Sequence, residues 1–347
     1  MSPSPNNTVF YLKRILGLLL LLTLATTFFY SAYSKMFTGF HWDKPFFSAK
    51  DNFFVDAFTL DTDAFDSFRW NFLDMGINSI TLAGAVARMM IGFEFMIGLF
   101  LLCHIFLKKL TYPIVISVLS VFIVYLVYTL FRHGNTGNCG CFGNKIEMTP
   151  VQAILKNLVM IIATLLLYMY YPVKPYKGQE WLSIFIGMAA LVTPFIINPI
   201  NEDIIQPTVV NETVNLDPLY QSSPIPGVEL RKGKHIVAFM SLTCRHCQKA
   251  AYLLQMIHHQ NPNISIFLVL AGHPDQQKDF FKETHAEAVP HMLYTNSPEF
   301  VKFTTYPHKG EGGHGVPAIY WINNSTIEYK STYYQLDPTE MKEWIKK

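Results

Sequence analysis

Two cysteine pairs are the residues of this 347-residue chain best suited to chemistry: Cys244 with Cys247, and Cys139 with Cys141. A thiolate attacks a disulfide sulfur, and a neighbouring thiol then resolves the mixed disulfide, so a close pair can trade two electrons with another pair. Cys244 stands between a strand-like run, 235–242, and a helical run, 248–260, with a β-rich run at 264–271 behind it. Where a strand end opens a helix, the helix dipole and unpaired amide donors favour a thiolate. Cys244 is therefore the expected nucleophile, and Cys247, one turn inside the helix, the resolving thiol. Arg245 and His246 add cationic character beside Cys244, which stabilises the reduced form and leans the pair towards oxidant. The competing readings are a static bridge or half of a metal site. No second close Cys or His pair follows at zinc-ribbon spacing, so exchange is the stronger reading and no metal is expected.

The second pair is separated by Gly140 alone. A bridge there has to bend the backbone to bring the α-carbons within about 4.4–6.8 Å, and glycine supplies that freedom. Such a bridge is strained and easily reduced, which favours exchange over a structural loop staple. Glu94 and Arg88 lie within an apolar run, where ionisable groups are expensive and face a bundle interior. Six residues apart, they share no helical face, so each expects partners from other spans. Glu94 is a candidate for a proton or quinone role, set against a hydrogen-bonded packing role. Cys103 reads as a small buried hydrophobe, and His314 as a solvated loop histidine rather than a proton carrier.

The elements that must position these residues divide between lipid and water. Half of the residues are hydrophobic and only 15% are charged, against about 25% in ordinary soluble domains, so part of the chain is expected in a bilayer. A formal net charge of +2 with no basic stripe leaves no footprint for nucleic acid. Apolar runs at 15–33, 82–107, 110–131, 151–173 and 181–200 are each long enough to span. Lys13 and Arg14, Lys108 and Lys109, and Lys174 and Lys177 mark alternate ends of these spans as cytoplasmic. The opposite side receives the loop 34–81, with four basic and seven acidic residues, the loop 132–150 and everything after the fifth span. Both cysteine pairs then face one non-cytoplasmic compartment, where disulfides persist. The expected organisation is a membrane domain over 1–200, a linker or start of a soluble domain over 201–233, and an α/β domain over 234–347. An inner-membrane, multi-pass protein with that last domain on the periplasmic or other extracytoplasmic side follows.

A strand, C-x-x-C, a helix, and Val316-Pro317 before a late strand resemble the thioredoxin fold over about the last third of the chain. In that family the proline is cis and lies beside the active-site cysteines, which implies that Val316 and Pro317 shape a substrate groove. His246 resembles the histidine of DsbA-like oxidases, while Thr243 stands where thioredoxins usually carry an aromatic residue. Cys139-Gly140-Cys141-Phe142-Gly143, with Tyr33-Ser34-Lys35 and Ala87-Arg88, resembles DoxX-like and MauE-like membrane proteins over about residues 10–172. Quinone use by DsbB-like and vitamin K epoxide reductase-like proteins is an analogy only, because those proteins normally carry a C-x-x-C pair within the bundle.

Together these features imply a five-helix α-helical membrane bundle plus an α/β thioredoxin-like domain. The expected activity is thiol-disulfide exchange between the two pairs, for oxidative maturation or redox maintenance of exported thiol or disulfide proteins. The alternative is a non-enzymatic assembly factor or chaperone for a disulfide-rich client, as MauE-like proteins are associated with methylamine dehydrogenase maturation and methylamine metabolism.

Overall fold

The computed structural model describes residues 5–40, 58–60, 62–77, 79–135, 140–146, 148–173, 176–200, 207–306 and 315–347. Cys139 and His314 lie outside the described residues. The chain forms two compact units, residues 1–71 with 84–200, and residues 72–83 with 201–347.

The first unit is helical. It contains α1 (Pro5–Ser34), the short strands β1 (Phe37–Phe40) and β2 (Phe58–Leu60), most of α2 (Thr62–Asp74) and most of α3 (Ile80–Leu102). A π-helical turn, Leu107–Thr111, leads into α4 (Tyr112–His133), followed by β3 (Cys141–Asn144), α5 (Pro150–Tyr170) and α6 (Gln179–Ile197). Among the described residues, five segments are long and apolar enough to cross a membrane: Lys13–Ser34, Ile80–Leu102, Leu107–Arg132, Pro150–Tyr170 and Gln179–Ile197. Leu21, Leu24 and Phe28 of α1 pack with Ile97 and Leu101 of α3, Val115 and Leu119 of α4, and Met160 and Leu167 of α5. Residues on the outer faces, such as Val124, Phe131 and Phe185, stay exposed, which suits contact with lipid. The start of α5 is locally encoded: Thr149 and Gln152 form a reciprocal capping box, and Pro150 opens the helix.

Two expectations from sequence need correction. The second span ends at Leu102 rather than Leu107, because the chain reverses through 103–106 with His104 and Phe106 at positive φ. The turn is hidden in sequence because Ile105 and Leu107 are fully buried. The polar loop expected over 34–81 contains the β1–β2 hairpin and the helix α2, with Ala64, Phe65, Phe68 and Trp70 buried.

The second unit is built on a six-stranded mixed sheet. Its elements are β4 (Thr208–Thr213), α7 (Asp217–Tyr220), β5 (Lys234–Ser241), α8 (Arg245–Gln260), β6 (Ile266–Ala271) and α9 (Pro274–Thr284). They continue with β7 (His291–Leu293), α10 (Ser297–Phe303), β8 (Ala318–Asn323), β9 (Thr326–Ser331) and α11 (Pro338–Lys346). The strand order is β4-β9-β8-β5-β6-β7. Strands β5, β6 and β7 run parallel, and β8, β9 and β4 add antiparallel pairs. The run 235–240 in β5 is continuously buried, the signature of a central strand covered on both faces. Residues 208–233 belong to this unit, since β4 pairs with β9 and Val214, Leu216, Leu219 and Leu230 enter its core. The parallel β5-α8-β6 crossover beside an antiparallel β8-β9 hairpin is a thioredoxin-like arrangement, and it leaves the C-x-x-C segment at the C-terminal end of the central strand.

Candidate functional site

Cys244 is the N-cap of α8, with extended backbone, and its Sγ accepts a hydrogen bond from the Cys247 amide at 3.3 Å. A cap normally uses an oxygen to satisfy an orphan amide of the first turn. Here sulfur takes that place, so negative charge on Cys244 would be met by a backbone donor and the positive end of α8. Cys244 is partly exposed, whereas Cys247 is fully buried behind it, with its Sγ accepting from the Ser241 amide at 3.4 Å. Burial pushes the Cys247 thiol up from its ordinary value, and its hydrogen bond with Cys244 adds to the shift. Both residues are thiols in this structure. One sulfur is therefore presented and the other is withheld in neutral form.

Val316 and Pro317 stand where the sequence expects them. Their peptide bond is cis, and the Cys244 thiol is 3.7 Å from the Val316 carbonyl oxygen. A partly exposed backbone thus lies directly against the Cys244 sulfur. Arg245 is exposed. His246 is also exposed, but its Nδ1 is 3.0 Å from the Tyr333 hydroxyl and its ring stacks on that of Tyr333. Tyr333 in turn donates to the Tyr334 hydroxyl at 2.5 Å. Tyr333 was not legible as a site residue, since nothing in a Tyr-Tyr pair 87 residues beyond His246 signals that it meets the cysteine helix.

In the membrane unit, Gly140 and Gly143 both adopt the left-handed region, at φ +68° and +57°. A side chain at Gly143 would place its Cβ 2.2 Å from the Ser34 carbonyl oxygen, so the loop can close on the end of α1 only with glycine there. Phe142 is buried between the Tyr30 ring, at 5.6 Å, and the Lys156 ammonium, 4.3 Å from its ring centroid. Glycine and phenylalanine in Cys-Gly-Cys-Phe-Gly are thus explained by close packing around Cys141, which is partly buried.

Glu94 and Arg88 do not pair with each other and find separate partners; Arg88 bonds the Gly84 carbonyl of its own helix at 2.9 Å, and both reach other elements. The Glu94 carboxylate receives the Lys35 ammonium at 2.6 and 2.7 Å. Arg88 donates to the carbonyl oxygens of Asn198 at 2.5 Å and Pro199 at 3.2 Å. It also lies over the Phe65 ring at 4.5 Å. These contacts place a cation at the carbonyl end of α6, where the helix dipole favours it. Lys35 and Ser31, which joins it to the Cys141 loop, were not singled out from sequence as site residues. The available signal was a lone lysine directly after the first apolar run and a lone acid inside the second.

Five helices long and apolar enough to cross a membrane, among the described residues, and a thioredoxin-like domain carrying a C-x-x-C dithiol define a multi-pass membrane protein with a thioredoxin-like domain. Residues 13–170 match the family model described as methylamine utilisation protein MauE, so the membrane unit carries a MauE-family domain. The chain is 29% identical over 301 residues to protein TlpB of Flavobacterium psychrophilum, covering 74% of this chain and 80% of that protein. Solved structures that resemble the chain in part include the following two. One is the thioredoxin domain of a thiol-disulfide oxidoreductase from Bacteroides vulgatus, at 14% identity and TM-score 0.28, covering 41% of this chain and 95% of that one. The other is a secreted disulfide oxidoreductase of Mycobacterium tuberculosis, at 12% identity and TM-score 0.27, covering 42% and 98%.

Proposed function

We propose that this protein exchanges disulfides between Cys244/Cys247 and the membrane-domain pair Cys139/Cys141, on the periplasmic or extracytoplasmic side of the inner membrane, in the service of exported thiol or disulfide proteins. The observation that carries this reading is the presented Cys244 Sγ, held by the Cys247 amide and set against the Val316 carbonyl, with Cys247 buried behind it. The Cys244 thiolate attacks a disulfide sulfur of a partner, the partner's S–S bond breaks, and one partner sulfur leaves as thiolate. Cys247, losing its proton, then attacks the Cys244 sulfur, closing the domain's own disulfide and releasing the second partner sulfur. Two electrons and two protons pass to the partner; a reduced membrane pair then restores the domain's dithiol and itself becomes the disulfide, and an oxidised membrane pair drives the same steps in reverse, taking two electrons and two protons from a dithiol partner through the domain. Arg245 and His246 act at the rim of this site, and Val316 and Pro317 present backbone to an extended partner segment.

The test is turnover of a protein disulfide by the full chain reconstituted in liposomes. Cys244→Ser should abolish turnover. Cys139→Ser or Cys141→Ser should leave single-turnover reaction at Cys244 intact while stopping repeated cycles. If a Cys244→Ser, Cys247→Ser chain still supports its client's maturation in cells, the protein is instead an assembly factor of the kind suggested by the MauE-family domain.

A further inference from the structure

We infer that the buried Lys35–Glu94 ion pair is a positioning device for the redox loop, acting through Ser31 on the backbone of Cys141. The inference rests on the reading that Cys141 belongs to an exchanging pair. The Lys35 ammonium has three protons, and the structure gives it three acceptors: Glu94 Oε1 at 2.6 Å, Glu94 Oε2 at 2.7 Å and Ser31 Oγ at 2.8 Å. The Ser31 hydroxyl, accepting from that ammonium, donates its own proton to the Cys141 carbonyl oxygen at 3.0 Å. Lys35, Glu94 and Ser31 are all buried, at 1%, 3% and 7% exposure, and the Phe68 ring covers the ammonium at 4.7 Å. A polar chain therefore runs from an acid on α3, through the end of α1, to the peptide group of the redox cysteine.

Burying two charges is costly, and well-packed apolar residues hold a bundle together at least as well. Stability alone does not explain this pair. Its geometry does more than join two helices: a hydroxyl that accepts from a cation is a stronger donor, and this one is spent on Cys141. Together with the closure of Gly143 on Ser34, it fixes the peptide plane from which the Cys141 side chain projects. Holding the Cys141 peptide group in place before the bond forms lowers the conformational entropy that its sulfur loses on joining a neighbouring thiol, which favours the disulfide. Freed from Ser31, the loop should favour the dithiol.

The experiment uses the full-length chain in detergent with Cys103, Cys244 and Cys247 changed to serine, so that only the membrane pair titrates. Its oxidation is followed against glutathione mixtures by mass after alkylation. Ser31→Ala should shift the equilibrium constant about tenfold towards the dithiol, equivalent to about 30 mV for a two-electron couple. The double substitution Lys35→Met with Glu94→Leu removes both charges together, leaves neither unpaired, and should keep the thermal midpoint while moving the equilibrium in the same direction. A parent that titrates and variants that titrate identically overturn the positioning role while leaving exchange intact. A parent pair that never oxidises at any glutathione ratio overturns the exchange reading and this inference with it.

Discussion

Gly140 and Gly143 flank Cys141 at similar positive φ, +68° and +57°, and this makes them a matched pair for testing the packing of the Cys141 loop. Alanine at either position has to occupy the left-handed region, which costs about 1–2 kcal/mol. At Gly140 the nearest atom to an added Cβ is the side-chain nitrogen of Asn71, at 3.3 Å, and a side chain can move aside. At Gly143 the Cβ would lie 2.2 Å from the Ser34 carbonyl oxygen and 3.0 Å from its carbon. These are backbone atoms at the end of α1 that cannot turn away. Relief requires the loop to move by about 1 Å, and overpacking of that kind adds about 1–3 kcal/mol. Gly140→Ala should therefore cost about 1–2 kcal/mol and Gly143→Ala about 2–5 kcal/mol. The assay is thermal unfolding of the full chain in detergent, paired with the rate at which Cys141 is alkylated in a Cys139→Ser background. Gly143→Ala should unfold at lower temperature than Gly140→Ala and should expose Cys141 to faster alkylation. Equal behaviour of the two variants would refute the claim that the loop is closed against α1.

Two further outcomes concern the thioredoxin-like domain. Tyr333→Phe removes the hydroxyl that holds His246. With a hydrogen bond worth about 0.5–1.5 kcal/mol and about 1.4 kcal/mol per 30 mV, the Cys244/Cys247 potential should fall by about 10–30 mV, read against glutathione. No shift in this variant, alongside a clear shift in His246→Ala, would show that the tyrosine does not act through the histidine. Burial pushes the Cys247 thiol up, so in a mixed disulfide at Cys244 its thiolate is scarce and increases as pH rises. Stopped-flow resolution of that mixed disulfide should accelerate roughly tenfold per pH unit through neutrality and beyond the ordinary thiol value of about 8.5. A plateau at that ordinary value would contradict it.

The parts of the fold that were legible in sequence are those with uninterrupted patterns. Long apolar runs identified the spans, and the alternation around Cys244 identified a strand-helix-strand unit, because lipid and a two-sided sheet each demand a continuous apolar stretch. The turn at 103–106 was not legible, since a reversal packed inside the bundle is made from apolar residues such as Ile105 and carries no polar break. Helix α2 was hidden by the acidic residues around it, although its buried face carries Phe65 and Phe68. Strand β4 escaped because it is an edge strand paired only with β9, and its sequence, TVVNET, contains four polar side chains that face outward or half outward. At the candidate site, the placement of Cys244 at the start of α8 and of the Val316-Pro317 dipeptide before β8 was readable because each has a local reason. Lys35 with Glu94, Ser31 with Cys141 and His246 with Tyr333 are contacts between residues separated by 59, 110 and 87 positions, and only the folded backbone brings them together.

The most direct test of two-pair exchange is to look for the covalent intermediate within one chain. In the intact membrane protein carrying Cys247→Ala, with the membrane pair first oxidised, non-reducing peptide mapping should find Cys244 bonded to Cys139 or Cys141. If Cys244 is recovered only as a free thiol, or bonded only to outside partners, while the membrane pair keeps its own disulfide, the two pairs do not exchange.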